Sequence, residues 1–557
     1  MVQPPLVPGS RRRFLRNTLA MTISAASFPA LGAARAREES SGSPLVREFE
    51  LDEMTIDDLQ KAMQSGQQSS RSLCEKYLAR IQEIDKAGPA VNSVIEVNPE
   101  ALEIADALDK ERKDKGARGP LHGIPVMIKD NIDTADRMNT TAGSLALLNS
   151  RPPKDAFIAA QLRKAGAVIL GKTNLSEWAN IRSSHSTSGW SGRGGLTRNP
   201  YALDRNPCGS SSGTGAAVSA NLCAAGVGTE TDGSVVCPSN ANGLAGLKPT
   251  VGLCSRSGII PISHSQDTPG PMARTVRDVA ILLSALVGAD SEDGATAASH
   301  GRIQPDYTKF LDPNGLKDAR LGVVRKYFGF NDAVDQLMND RIEDMKRAGA
   351  VILDPTVIPT LGKFDDSELT VLLYELKADL AAYLARLGDS SSMKTLKDVI
   401  EFNEQHRDVE MPYFAQDLFV KAQEKGPLTS KEYVEALARN HRFTRAEGID
   451  FVMNKYRLDA LVAPTGGPAW LTDLVNGDRA SGGSSNAAAV AGYPNINVTA
   501  GFISQLPVGI SFFGRAWSEP KLLKIAYSFE QITKARQKPR FLASIPQEVD
   551  SHRKQEP

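Results

Sequence analysis

The chain has 557 residues, of which 41% are hydrophobic and 23% are charged, and its 65 basic residues balance 65 acidic ones. This composition describes a soluble globular chain, and its length exceeds the size at which single cores usually stop growing. We therefore expect one large α/β domain with a helical elaboration. The charge balance contains nothing that attracts nucleic acid or an anionic membrane, so neither is an expected partner.

The N-terminus carries the pattern of an export leader. Four arginines, in the run RRRFLR, precede an apolar, uncharged stretch over 18–34, and Ala34 and Ala36 form an Ala-x-Ala cleavage pattern. We predict a twin-arginine signal peptide over residues 1–36 and a solvated spacer over 37–45, with a disordered basic tail as the alternative. The apolar stretch is too short and too rich in small residues for stable membrane insertion. Because the twin-arginine export machinery carries folded proteins, the predicted location is the periplasm or the cell exterior.

Hydrophobic periodicity predicts the elements of the first third of the chain. Thr55 and Asp58 have the spacing of a capping box at the start of a helix. The predicted helices cover about 55–63, 70–85, 99–115 and 155–165, and the predicted strands about 92–97 and 167–170. The last strand lies inside a match to the phosphate-binding pattern GxxxxGK[ST], from Gly166 to Thr173. Since a phosphate-binding loop follows its strand, and here the variable residues are the strand, no ATP site is predicted.

The segment GIPVMIKDNI, residues 123–132, places Lys129 after a five-residue, uncharged, strand-like run. A single lysine usually lies on the protein surface. If this lysine is buried, desolvation lowers its pKa from about 10.4 towards neutrality. A neutral, buried amine can act as a general base, so Lys129 is a candidate for that role.

Residues 206–252 are rich in Ser, Gly, Ala and Thr but too apolar for a flexible linker. Residues 216–227 are nearly all small and apolar, which predicts a packed helix running into a strand. Two serines are candidates for chemistry, Ser210 in CGSSSG and Ser234 in GTETDGS. A reactive serine needs a base and backbone N–H donors for the developing oxyanion, and the Gly-rich run into Ser234 can supply such donors. The alternative is an ordinary Gly/Ser turn.

The five cysteines form no CxxC pair and imply no disulfide framework. They are Cys74, Cys208, Cys223, Cys237 and Cys254. Because folding before twin-arginine export finishes in the reducing cytoplasm, we predict free, buried thiols. Cys208 and Cys237 each lie near a candidate serine, but the sequence places no His or Arg beside them that would activate a thiol nucleophile.

Residues from about 317 to 457 are rich in helix formers with helical periodicity, which predicts a helical segment. Within it, KRAGAVIL at 346–353 repeats RKAGAVIL at 163–170 with a slip at the first two positions, and predicts another helix, Ala-Gly turn and parallel strand. The remaining predictions are strands over 458–464 and 508–513, a helix over 487–490, and a polar tail over 546–557.

The motifs GIPVMIKDN, CGSSSGTGAAV, GTETDGS and GLKPTVG follow one another in this order. Their sequences and their order resemble those of the amidase signature family. Segments such as GKTNLSEWAN, SGWSGRGGLTRNPY and PISHSQDTPGPMART extend the resemblance, which is closest to the peptide amidases. It implies an α/β fold with a large mixed twisted β-sheet covered by helices on both faces, within an amidase domain over 46–545. It also implies that the helices of 317–457 help to cover the substrate cleft, although plain packing helices explain that segment equally well.

The same resemblance implies the roles of three residues. Ser234 is the nucleophile that accepts the acyl group, and Ser210 is a bridging serine on an unusual cis peptide bond. Lys129 is the base, which takes a proton from Ser210 while Ser210 takes one from Ser234. No cofactor and no metal are implied, and the seven histidines form no cluster with metal-ligand spacing.

The resemblance also implies an oxyanion hole made of backbone N–H groups. These belong to Thr231, Asp232, Gly233 and Ser234, and each such donor contributes about 10²–10³ in rate. The family's more usual GTDTGGSIR is GTETDGSVV in this chain, a variation that peptide amidases share. We expect the carboxylate of Asp232 to face the side from which substrate enters.

Four residues lie where likeness to peptide amidases implies substrate binding: Trp178, Asn180, Trp190 and Ser211. A buried tryptophan is equally ordinary as a core residue. The resulting hypothesis is a serine-dependent amidase that hydrolyses the C-terminal amide of peptides to the free acid and ammonia.

Several alternatives to this hypothesis stay open. One is a broad-specificity aryl, aliphatic or fatty-acid amidase. Another is a component of a transamidase that modifies charged tRNA, which the leader and the missing basic patch disfavour. A third is a catalytically silent exported binding protein. A fourth is an α/β-hydrolase, because GSSSG at 209–213 satisfies GxSxG, but this interpretation leaves the Lys129 and Ser234 segments unexplained.

Overall fold

The computed structural model describes residues 46–546. The predicted signal peptide and spacer lie outside the described residues, as does the predicted tail beyond residue 546. The strands in chain order are β1 (Val94–Val97), β2 (Pro125–Lys129), β3 (Val168–Thr173), β4 (Trp190–Ser191), β5 (Gly195–Leu196), β6 (Ala225–Glu230), β7 (Ala245–Lys248), β8 (Thr268–Ala273), β9 (Arg320–Val323), β10 (Val351–Leu353), β11 (Ala460–Pro464), β12 (Asn495–Ile503) and β13 (Leu506–Phe513).

Eleven of these strands form one mixed sheet in the order β1-β3-β2-β6-β8-β7-β12-β13-β11-β9-β10, and β4 pairs with β5 separately. β2 lies between β3 and β6 and is parallel to both. Parallel strands are normally covered on both faces, which agrees with β2 having all five residues buried. Lys129 ends this strand opposite Thr173 of β3. The lysine is therefore delivered into the interior at the end of a central strand.

Helices pack against this sheet and extend beyond it. They are α1 (Ile56–Gln64), α2 (Ser70–Arg80), α3 (Ala101–Lys115), α4 (Phe157–Lys164), α5 (Ser212–Ser219), α6 (Val236–Ala241), α7 (Val276–Leu286), α8 (Asp332–Arg347), α9 (Asp365–Leu387), α10 (Leu396–Gln405), α11 (Arg407–Glu410), α12 (Asp417–Gln423), α13 (Lys431–His441), α14 (Asp450–Tyr456), α15 (Asn486–Ala491) and α16 (Glu519–Thr533). Short π-helical segments follow α2 at Ile81–Asp85 and α13 at Arg442–Ile449.

The interior is divided into several apolar clusters. The largest surrounds the sheet and includes β2, β6 and the helices α2, α7 and α16. A second cluster joins α9, α10 and α12 to two separate loops, one that carries Trp178 and one that carries Ile260. The helices α9, α10 and α12 thus pack against the rest of the domain through apolar side chains close to the candidate site.

The structure confirms the predicted large mixed sheet with its helices, and most of the individual elements. Thr55 and Asp58 form the predicted capping box at the start of α1. The repeated KRAGAVIL phrase is the end of α8 followed by β10, which is parallel to β9. The stretch 317–457 is not helical throughout, because β9 and β10 complete one edge of the main sheet before α9 begins. Within residues 46–546, no helix has the length and apolar character that a membrane crossing requires.

Candidate active site

Lys129 is completely buried at the end of β2. Its Nζ lies 2.8 Å from Ser210 Oγ, 2.9 Å from Thr229 Oγ1 and 3.2 Å from Thr229 O. A neutral amine has two N–H donors and one lone pair. These three neighbours therefore fit two hydrogen bonds donated to Thr229 and one accepted from the hydroxyl of Ser210. Asn131 Nδ2 also donates to Thr229 Oγ1, at 2.9 Å, which holds this threonine in place.

Burial lowers the pKa of Lys129 to about 7, and the negative charges of Asp267 and Glu230 oppose a further fall. A large fraction of this lysine is therefore uncharged at neutral pH. Burial of Lys129 is the condition that the sequence analysis set for a general base, and the structure meets it.

Ser210 lies in the loop before α5, and the peptide bond between Gly209 and Ser210 is cis, as the family resemblance implied. Its side chain is fully buried. The N–H of Ser176 donates a hydrogen bond to Ser210 O at 3.1 Å. A Cβ at Gly209 would overlap the hydroxyl of Ser176, so only glycine permits the loop to come this close.

Ser234 lies in the turn between β6 and α6, with 8% of its surface exposed. The N–H groups of Thr231, Asp232, Gly233 and Ser234 donate no hydrogen bond to any residue in the part of the chain that the structure describes. Gly233 has a φ of +79°, a conformation that favours glycine. Four consecutive N–H groups without partners beside a serine are what an oxyanion hole requires.

The two serine segments are neighbours, although their hydroxyls are not hydrogen-bonded to each other. The N–H of Ser211 donates to Ser234 O at 3.2 Å. Catalytic hydrogen bonds are often long in an empty site and tighten when substrate binds. The structure therefore brings Lys129 and Ser210 into contact and places the Ser234 segment beside them. The hydrogen bond between the hydroxyls of Ser210 and Ser234 is not formed in this structure.

Two carboxylates support this site, and sequence reasoning assigned neither of them a role. Glu230 Oε2 accepts hydrogen bonds from the N–H groups of Val235 at 2.7 Å and Val236 at 3.0 Å, which fixes the turn after Ser234. Asp267 accepts a hydrogen bond from Thr231 Oγ1, and burial raises its pKa to about 6. Both residues lie in motifs that carried the resemblance, GTETDGS and PISHSQDTPGPMART, and this was the only signal that pointed to them.

The surroundings of Asp232 are partly enclosed, and the expectation that its carboxylate faces the incoming substrate stays a prediction. Asp232 is half-buried, and its Oδ1 is buried with no hydrogen-bond partner among residues 46–546. Burial raises the pKa of Asp232 to about 6, against a lowering by the hydroxyl of Ser485. Burial and the charge of Asp232 also raise the pKa of Glu368 on α9. Glu368 thus brings α9 close to the oxyanion loop, a proximity that sequence spacing does not reveal.

The residues predicted to bind substrate are mostly internal. Trp178 packs edge-on against Phe419 with ring centroids 5.6 Å apart, and Trp190 packs likewise against Phe414 at 5.2 Å. Both tryptophans are buried, and their partners lie at or near α12. They therefore bind the helical segment to the sheet domain.

The two polar residues of that set are placed differently. Ser211 is buried, and its Oγ donates to Thr229 O at 3.0 Å while accepting from Thr229 N at 3.2 Å. Its side chain thus supports β6 and the residue that contacts Lys129. Asn180 is half-buried, and its Nδ2 donates to Ser188 Oγ at 3.1 Å.

A cavity of about 190 Å³ opens beside Thr229 and Thr231, next to the base and the oxyanion loop. Its apolar lining includes Ile259, Ile260 and Ile262, and its charged lining includes Arg256, His264, Asp267, Asp379 and Arg386. Neither Ser210 nor Ser234 lines this space. An apolar group with polar atoms at its edges would fit the cavity.

The prediction that all five cysteines are free thiols is wrong for two of them. Cys208 and Cys237 form a disulfide with a Cα–Cα separation of 5.9 Å. They are 29 residues apart in sequence, and they meet because the loop before α5 and the start of α6 are brought together around β6. Cys74, Cys223 and Cys254 are free and buried, as predicted.

His264, Glu375 and Asp379 lie close enough together for their side chains to hold a metal ion. His264 Nδ1 is 2.9 Å from Asp379 Oδ2, and its Nε2 is 3.3 Å from Glu375 Oε1. Burial lowers the pKa of His264, but the two carboxylates outweigh this and the pKa is raised. The hydroxyl of Tyr433 also donates to Glu375 Oε1 at 2.7 Å. The group joins the loop before β8 to α9, and the spacing of histidines in the sequence did not indicate it.

Comparison with known proteins agrees with this fold. Residues 72–523 match the model of the family described as Amidase. The native peptide amidase from Stenotrophomonas maltophilia, a solved structure, is 49% identical with a TM-score of 0.85, and the match covers 89% of this chain and 100% of that one. The solved structure of an amidase family protein from Bacillus anthracis is 36% identical with a TM-score of 0.79, over 88% of this chain and 93% of that one. A protein of Arabidopsis thaliana described as a probable amidase is 42% identical, over 89% of this chain and 93% of its own.

The architecture and these matches together define an amide hydrolase. The chain belongs to the amidase signature family. This membership excludes the α/β-hydrolase interpretation of GSSSG.

Proposed function

We propose that this protein hydrolyses the C-terminal amide of peptides through an acyl-enzyme formed on Ser234. The observation that carries the mechanism is the 2.8 Å contact between the buried Nζ of Lys129 and Ser210 Oγ. The choice of substrate is supported by the 49% identity to a solved peptide amidase over 89% of this chain.

In the acylation step, Lys129 accepts the proton of Ser210 while Ser210 accepts the proton of Ser234. Ser234 Oγ then bonds to the amide carbonyl carbon, and the oxyanion is stabilised by the free N–H groups of the 231–234 turn. Collapse of the tetrahedral intermediate breaks the C–N bond. The nitrogen leaves as ammonia after receiving the proton that Lys129 returns through Ser210.

In the deacylation step, water replaces the serine as the nucleophile. The relay accepts a proton from water as its oxygen adds to the acyl carbon, and the same N–H groups hold the second oxyanion. The ester bond to Ser234 then breaks, and Ser234 recovers its proton through Ser210. The products are the free carboxylic acid and the starting enzyme.

The substrate is tested by measuring ammonia release from a dipeptide amide and from a simple aryl amide at matched concentrations. We expect a higher kcat/KM for the dipeptide amide, and Ser234→Ala should abolish release from both. A clear preference for the aryl amide would contradict the peptide assignment and favour a broad-specificity amidase.

We further propose that the chain is exported by the twin-arginine machinery and acts outside the cytoplasm. The leader pattern of residues 1–36 motivates this, and the Cys208–Cys237 disulfide supports it because disulfides persist in oxidising compartments. Cell fractionation of the full chain tests the proposal. We expect activity in the periplasm or medium, and retention of an Arg11→Lys/Arg12→Lys variant in the cytoplasm; equal export of both would contradict it.

A further inference from the structure

The disulfide joins the two segments that carry the serines of the proposed relay. Cys208 lies two residues before Ser210, and Cys237 lies three residues after Ser234. The bond closes a loop that contains α5 and β6, and therefore both serines. A covalent link placed at the outer ends of these segments limits how far the two hydroxyls can move apart.

The other direct links between the segments are weaker. The N–H of Ser211 donates to Ser234 O at 3.2 Å, and Asn242 Nδ2 donates to Pro207 O at 2.9 Å. Each of these is a single neutral hydrogen bond, which contributes little net stability. The disulfide is therefore the strongest link between the loop before α5 and the start of α6.

The backbone conformation of Cys208 is one that the surrounding structure must hold in place. This residue has a φ of +58°, a left-handed conformation that a non-glycine residue holds only when the surrounding structure fixes it. It directly precedes Gly209, which must approach Ser176 closely for Ser210 to reach Lys129. Release of the Cys208 side chain would thus free the backbone that positions Ser210.

The separation of the two hydroxyls is critical because the relay passes a proton between them. They are not hydrogen-bonded in this structure, and the proposed relay requires that they come into hydrogen-bond contact when substrate binds. A displacement of about 1 Å in a catalytic group can cost on the order of 10²-fold in rate. Loss of the link would therefore lower the rate of the chemical step even where the fold persists.

We propose that the Cys208–Cys237 disulfide is a positioning element for the Ser210–Ser234 relay, so that the enzyme reaches full activity only after these two cysteines are oxidised. The inference rests on the function proposed above. Oxidation proceeds by thiol–disulfide exchange, in which the two thiols give two electrons and two protons to an external disulfide and convert it to two thiols. Cys237 is half-buried whereas Cys208 is buried, so exchange begins at Cys237.

The test compares oxidised and reduced forms of the exported protein. After incubation with a phosphine reductant, we expect kcat for a dipeptide amide to fall by at least about tenfold while KM stays within about twofold, because substrate binding does not depend on the relay. Glutathione disulfide should restore kcat. Circular dichroism, recorded on the same samples, should show the fold retained.

Matched variants separate positioning from stability. Cys208→Ala/Cys237→Ala should have the low kcat of the reduced enzyme and no response to reductant, whereas Cys74→Ala should keep the response of the unaltered protein. If the double variant does not fold, the reduced unaltered protein supplies the same comparison. A reduced, folded enzyme with unchanged kcat would overturn the proposal, and so would a loss of activity that only follows unfolding.

Labelling of Ser234 by a fluorophosphonate distinguishes this inference from the proposed function. We expect fast labelling of the oxidised enzyme and slow labelling of the reduced one. Equal labelling of both forms would overturn the positioning role alone. No labelling of the oxidised form would show that the proposed function itself is wrong.

Discussion

Thr231 Oγ1 donates a hydrogen bond of 2.6 Å to Asp267 Oδ1. Asp267 is one of two carboxylates whose charge raises the pKa of Lys129 against the effect of burial. The N–H groups of Ile262 and Ser263 hold its other oxygen at 2.8 Å and 2.9 Å. One buried carboxylate therefore holds the side chain of Thr231 in the oxyanion loop and also raises the proton affinity of the candidate base.

The first prediction concerns Asp267→Asn, which removes that charge while keeping a similar shape. The pKa of Lys129 should fall below about 7, so the neutral amine persists to lower pH. The acidic limb of the kcat/KM profile should shift to lower pH by up to about one unit. The two enzymes should differ mainly above pH 6. Below that pH, protonation already removes the charge of Asp267 in the unaltered enzyme, because the pKa of this carboxyl is about 6.

The control for this prediction is Asp293→Asn. Asp293 lines the same cavity but is paired with Arg256, whose Nε donates to it at 2.8 Å. This variant should keep the profile of the unaltered enzyme. An acidic limb that stays in place in Asp267→Asn, or moves to higher pH, would contradict the electrostatic role of Asp267.

Local patterns in the sequence predicted the parts of the fold that depend on neighbours in the chain. The capping box at Thr55 and the apolar run of β2 are such cases, because each follows from residues a few positions apart. Lys129 was a good candidate because an uncharged run implied burial, and the family resemblance supplied its two serine partners. The serine segments themselves could not be paired from composition alone.

What the sequence did not predict depends on contacts between distant segments. The Cys208–Cys237 disulfide spans 29 residues and forms only because the chain folds around β6. Asp232 and Glu368 of α9, more than a hundred residues apart, influence each other's pKa, and no local pattern indicated that they are neighbours. Trp178 and Trp190 had two equally good interpretations, and the sequence could not show the aromatic partners that favour packing.

The second prediction concerns Gly233→Ala in the oxyanion loop. A Cβ at this position would meet Ser485 Oγ at 3.0 Å, and the φ of +79° disfavours any side chain. The turn should shift and misplace its N–H groups, lowering kcat by about 10²–10³-fold with a smaller change in KM. Steady-state kinetics on a peptide amide measures this effect.

Gly66→Ala is the matched control for the glycine change. Gly66 has a φ of +77° and no atom within 4 Å of its added Cβ, so it carries the same backbone cost without touching the site. Both variants should lose a similar, small amount of thermal stability, and only Gly233→Ala should lose activity. Equal kcat values for the two variants would contradict the assigned oxyanion hole.

The third prediction is that Trp190 acts through packing. Its ring is 5% exposed, and it packs against Phe414 and beneath the guanidinium of Arg182. Trp190→Ala should destabilise the fold by about 3–5 kcal/mol, seen as a lower unfolding temperature, with KM little changed in the folded fraction. Tyr413→Ala, which alters a neighbour of Trp190 that is 45% exposed, should cost much less. A large rise in KM for Trp190→Ala at unchanged stability would instead support substrate contact.

The central claim is that an uncharged Lys129 removes the proton of Ser234 through Ser210. The most direct measurement is the rate constant for fluorophosphonate labelling of Ser234 between pH 5 and pH 9, in the unaltered enzyme and in Lys129→Met. In the unaltered enzyme the rate should rise through an apparent pKa of about 7. In Lys129→Met it should be lower by about 10²–10⁴-fold and should not show this inflection. A folded Lys129→Met enzyme that labels at the normal rate, or keeps the inflection near pH 7, would contradict the account.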